Sequence, residues 1–172
     1  MFRLLTVILL VSVVESDCWK PIIVNSGRTY VIKNEGKVYK SSSRIGREDM
    51  IKSDLMINED SSMVIRSAYS FPLGDTVVLE LFETNTSYHN LFDIVILKDQ
   101  YLIRYSREIN DTEFVQKFEP VKSKLELSSS DFSNGNNIRG HVEYTGRCVS
   151  GCADKNKKIK IEGNFAVKIH RY

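Results

Sequence analysis

The chain has 172 residues, 42% hydrophobic and 27% charged, with 24 lysines and arginines against 22 aspartates and glutamates. That length suits one domain and is short for two, and a net charge of +2 is too mild for a dedicated nucleic-acid binder, whose domain is strongly basic. One long apolar run occurs, and it falls short of the roughly 20 residues that a membrane span needs.

That run opens the chain. Arg3 supplies a positive lead, Leu4 to Val14 is mostly apolar, and Val14 and Ser16 are small enough to precede a cut. This is the pattern of a secretory signal peptide. Residues 1–16 are therefore expected to be removed and 17–172 to form a secreted, extracellular domain without a transmembrane anchor. The cut removes Arg3 and Glu15 together, so the net charge is unchanged.

Beyond residue 17 the apolar pattern has period two almost throughout. Strands are expected at 28–33, 37–40, 62–67, 75–83, 91–98, 101–106, 113–118, 124–127 and 138–144. Asn34, Glu35 and Gly36 make a turn between the first two, and Asp99 with Gln100 implies a tight hairpin before Tyr101. The segment from Asp49 to Ile57 fits either a short helix or a strand, since Met50, Ile51, Leu55 and Met56 can share a helical face. Two stretches, Val77 to Phe82 and Leu91 to Leu97, are apolar on both faces, as strands covered above and below are. Ser128 to Asn137 is rich in turn formers and reads as a loop. The last stretch alternates most cleanly, with Ile159, Ile161, Gly163, Phe165, Val167 and Ile169 on one face, and Gly163 marks a bulge or bend. Many short strands with no crossover helix predict an all-β single domain, an antiparallel β-sandwich or jelly roll.

Three cysteines, Cys18, Cys148 and Cys152, remain after the cut. In an oxidising compartment thiols pair, and an odd count leaves one over for an intermolecular bond and a disulfide-linked dimer. Linking Cys18 to Cys148 ties a loop of about 130 residues, worth nearly 5 kcal/mol in the chain-entropy model, against about 2 kcal/mol for the small Cys148–Cys152 ring. The energetics favour Cys18–Cys148, with Trp19 packed over it, and Cys152 is the alternative partner. Asn85 and Asn110 head N-x-S/T sequons in polar segments between apolar runs, where glycans are carried.

Catalytic signatures are sparse. No nucleophile elbow, zinc-protease motif or phosphate-cradling loop is present, and His89, His141 and His170 stand at no metal-ligand spacing. Neither a cofactor nor a metal is expected. A Cys148–His141 pair would place a thiol near a base, but a disulfide is the better use of that sulfur in this compartment. The most concentrated charge is Arg147 with Lys155, Lys157, Lys158 and Lys160, a basic patch suited to sulfated glycan, anionic lipid or an acidic protein. The sequence therefore points to a non-enzymatic binding module for an extracellular protein or glycan. The alternatives are a secreted hydrolase whose carboxylates, such as Asp93 or Asp131, are assembled by the fold, and a disulfide-linked structural protein.

Overall fold

The computed structural model describes residues 19–34, 37–39, 51–57, 64–65, 67–73, 75–84, 88–109, 114–154 and 156–169. They form strands β1 (Lys20–Pro21), β2 (Ile23–Val24), β3 (Ile32–Asn34), β4 (Lys37–Tyr39), β5 (Ile51–Ser53), β6 (Leu55–Ile57) and β7 (Val64–Ile65). The longer strands follow: β8 (Ser67–Leu73), β9 (Thr76–Thr84), β10 (Tyr88–Leu97), β11 (Gln100–Ile109), β12 (Val115–Leu127), β13 (Asn137–Ser150) and β14 (Lys158–Lys168). No helix occurs among the described residues, so the fold is all-β, and the segment open to either reading is two strands, β5 and β6.

From β8 to β14 each strand pairs antiparallel with the next in the chain. The free edge of β14 takes β5 and β6, and β7 extends β6. The sheet curls into a half-barrel that brings β8 within 8 Å of β5 and β14, measured between Cα atoms. β3 and β4 form a separate hairpin, as the Asn34-Glu35-Gly36 turn predicts. The β10–β11 hairpin turns through Lys98 and Asp99, because Leu97 pairs with Gln100 and Lys98 takes a left-handed φ of 57°.

Period two decides what the curl encloses. Val77, Leu79 and Leu81 from β9, Phe92, Ile94 and Ile96 from β10, and Tyr101, Ile103 and Tyr105 from β11 are buried on the concave face. Across from them lie Leu125, Val142, Tyr144, Ile159, Ile161, Phe165 and Val167. Phe92 and Tyr144 pack in a T-shape at 5.5 Å between ring centroids, and Tyr105 packs on Phe118 at 5.3 Å. Two-sided cover of the apolar strands is not what is found. Leu91, Val95 and Leu97 face the convex side and are only half-buried, because one curled sheet has a single enclosed face.

Two corrections to the expected staples follow. Cys148 is bonded to Cys152, the alternative partner, and so not to Cys18, which lies outside the described residues. The reason is local geometry: β13 ends at Ser150, and Gly151, at φ +75°, turns the chain back so that the two Cα atoms stand 6.4 Å apart. A side chain at Gly151 would run into the Val115 carbonyl, so the turn needs glycine on both counts. The expected packing of Trp19 over a Cys18 link lapses with that link.

Candidate functional site

The ladder between β11 and β12 is short. Tyr105 to Glu108 pair with Val115 to Phe118, and there the pairing stops. β12 is irregular at Lys117/Phe118 and again between Pro120 and Lys122; proline has no N–H to offer a ladder, and such bulges bend a strand away from its neighbour. The far end of the gap is filled by the start of the chain. β1 pairs with Tyr101 and Gln100, β2 runs parallel to Glu126 and Leu127, and Ile22 between them packs against the core. Tyr101 spans the gap by donating its hydroxyl to Ser123 Oγ at 3.4 Å.

The N-terminal segment is anchored firmly. Arg28 forms an ion pair with Glu126 at 2.6 Å, and the Tyr30 hydroxyl donates to the other oxygen of that buried carboxylate at 3.3 Å. Burial, reinforced by the Glu126 charge, pushes the Tyr30 hydroxyl up to about 12. Asn164 donates to the Val31 carbonyl at 2.9 Å and its oxygen lies 3.0 Å from His141 Nδ1. His141 is thus a hydrogen-bonded strand residue, and the sulfur that would have partnered it is in the disulfide.

Between the zipped part of β11–β12 and this anchor, a cleft of about 380 Å³ opens on the convex side. Leu91, Leu102, Pro120 and Val149 give it apolar wall, and Asp93, Arg104, Ser106, Lys117 and Glu119 give it polar wall. Register explains the charges. Glu80 pairs with Asp93 and Asp93 with Arg104 on one side of the gap, and Glu119 with Arg147 and Arg147 with Lys158 on the other, so a row of charge, interrupted where β11 and β12 are unpaired, runs over the convex face from β9 to β14. Its β9–β10 end is acidic and its β13–β14 end is basic.

Asp93 is the perturbed member. One of its carboxylate oxygens is buried and has no hydrogen-bond partner among the described residues. Desolvation first, then the Glu80 charge, push its carboxyl up to about 6, with Arg104 opposing. A carboxyl whose folded value lies above its unfolded one destabilises the fold when ionised. The cost is absent below about pH 4, grows as pH rises to about 6, and is complete above that. Asp93→Asn is therefore expected to raise stability by about 1–2 kcal/mol at neutral pH, after allowing for solvent screening, and by nothing near pH 4. Urea titrations of both proteins at the two pH values check this; an equal effect at both would refute the assignment.

The basic patch is narrower than its sequence run. Arg147 and Lys158 are exposed neighbours, but Lys160 is ion-paired with Glu162 and Lys157 is half-buried in the hairpin loop. Lys155 lies outside the described residues, as do Asn85 and Asn110. Two exposed lysines from β12 join the basic end: Lys117 pairs with Ser150 and Lys122 with Thr145. Their membership depends on cross-strand register, which no local spacing reveals. Asp131 is far in kind from Asp93: it is exposed and holds its own loop together, accepting from Ser133 N at 3.0 Å and Asn136 Nδ2 at 2.7 Å. A further polar cluster lies on the concave side, where Tyr105 and Arg107 both donate to Asn90 Oδ1.

No family model, no curated protein and no solved structure matches the chain.

Proposed function

We propose that the protein is a secreted, non-enzymatic binding module that recognises an extracellular protein or glycan through its convex face. The observation that carries this is the charged row, whose basic end presents Arg147 and Lys158 side by side with Lys117 and Lys122 close by. A rigid, disulfide-closed hairpin holds that end, so anionic groups would meet cations already in place, which lowers the ordering cost of binding. We read the finer architecture as sandwich-like, with the two limbs of the curled sheet facing each other across the core. Signal removal, glycosylation at Asn85 and Asn110, and a dimer through Cys18 belong to the same proposal.

The test is retention on immobilised heparin. At an ionic strength on the order of 10 mM, where charges act over about 30 Å, the protein is expected to be retained. The double variant Arg147→Ser/Lys158→Ser is expected to elute at clearly lower salt. Flow-through of the unaltered protein would sink the reading.

A second reading, a secreted hydrolase, is favoured by one observation: Asp93 and Glu119 line the same cleft, and Asp93 is held up at about 6. Two carboxyls lining one cleft, one of them raised, is the kind of set that acid and base glycoside cleavage uses. Release of reducing ends from polysaccharide, lost in both Asp93→Asn and Glu119→Gln, would establish it.

A further inference from the structure

We propose that the cleft between β11 and β12 is a site for an organic cation, an ammonium group on a short apolar body, with Asp93 as its counter-ion. This concerns the acidic end of the convex face; it shares Lys117 with the basic end but not Arg147 or Lys158, the pair altered in the heparin test.

Three observations converge on it. The cleft is of the size that takes a small ligand or a single side chain, about 380 Å³, near the lower bound of small-molecule sites. Its walls at Leu91, Leu102, Pro120 and Val149 are apolar and suit a hydrocarbon body rather than a densely hydroxylated one. At its side stands the Asp93 carboxylate, whose cross-strand neighbour on β9 is a second carboxylate, Glu80. A donor that carries positive charge makes a stronger hydrogen bond to a carboxylate than a neutral one does.

The electrostatic surroundings select sign. Asp93 faces Glu80 from β9 and Arg104 from β11, and Lys117 and Glu119 line the cleft from β12. The Glu80 charge raises the Asp93 carboxyl more than Arg104 lowers it, so the local field at this carboxyl is that of an acidic pair. An incoming ammonium relieves that repulsion, whereas a carboxylate would have to rely on Arg104 and Lys117 alone. His89 lies on the same strand and the same convex face.

The probe is hexylammonium, with hexanoate as the matched anion, added to the full mature protein and followed by calorimetry and by amide chemical shifts. Hexylammonium is expected to bind saturably at pH about 7.5, with shifts centred on residues 91–106 and 117–120. Its affinity is expected to fall about tenfold by pH about 5, following the ionised fraction of a group that titrates at about 6. Asp93→Asn, which removes a buried charge and keeps the fold, is expected to abolish both the binding and its pH dependence. Val149→Trp, at an exposed wall position, is expected to block the cleft without touching the carboxyl. Binding of hexanoate in preference to hexylammonium would overturn the proposal, as would saturable hexylammonium binding unchanged by either variant, or no saturable binding at all. Heparin retention is a separate measurement, so failure here leaves the reading of the basic end where it stood.

Discussion

Replacing Tyr144 with alanine is expected to lower stability by about 3–5 kcal/mol, the range for emptying a buried aromatic site. For a domain of this size that is a fall in Tm of roughly 10 °C. The side chain is fully buried, its ring stands nearly perpendicular to that of Phe92, and its hydroxyl donates to the Phe118 carbonyl at 2.9 Å. Burial raises that hydroxyl well above the ordinary tyrosine range, so it remains a donor at every accessible pH. Tyr144→Phe separates the contributions: it keeps the ring and removes one buried hydrogen bond, at a cost of about 0.5–1.5 kcal/mol. Thermal melts of the two variants check the pair. If Tyr144→Ala melted within a degree or two of the parent, the concave face would not be the core.

Gly163→Val is expected to be nearly as damaging, at about 3 kcal/mol, the upper part of the range for overpacking. A Cβ at this position would lie 2.7 Å from both the Asp54 carbonyl oxygen and Leu55 Cα. Both are backbone atoms, so no side chain can swing aside. The contact is close because β5 and β6 meet there against β14: Asp54 N donates to the Asn164 carbonyl at 3.0 Å, and Asn164 N donates to Asp54 Oδ1. The expected damage is local as well as global. Amide exchange in residues 53–57 should accelerate before that of β9 and β10, and retained protection across 53–57 would show that the strand accommodates the branch.

Much of the strand framework was legible because burial on one face writes period two into the chain. Ile159, Ile161, Phe165, Val167 and Ile169 are all buried, as the alternation of the last segment demands, and the 128–137 loop bends at Gly135, φ +86°. Separate runs such as 113–118 and 124–127 merge into one strand, because the irregular stretch around Pro120 interrupts the pattern without ending the pairing to β13. The candidate cleft was not legible. Asp93 stood out as a charge in an apolar run, but its neighbours Glu80, Arg104 and Glu119 come from three other strands. Only register brings them together, and register is a property of pairs far apart in sequence. The cysteine pairing was misjudged for the opposite reason. Loop entropy ranks links by how much the unfolded chain loses, and the folded hairpin had already brought Cys148 and Cys152 together.

The anchoring of residues 20–32 on β11 and β12 has a consequence for how the molecule assembles. The meander from β8 to β14 joins sequence neighbours and can zip up hairpin by hairpin, at little loop-closure cost for each step. The segment at Lys20 to Val24 emerges first during synthesis, yet its partners at Gln100, Tyr101, Glu126 and Leu127 emerge about 80–100 residues later. This early segment can therefore find its place only once both strands are made, and β11 and β12 keep a gap between them until it docks. A bulky fusion placed just before Trp19 should slow refolding, while one after Tyr172 should leave its rate unchanged.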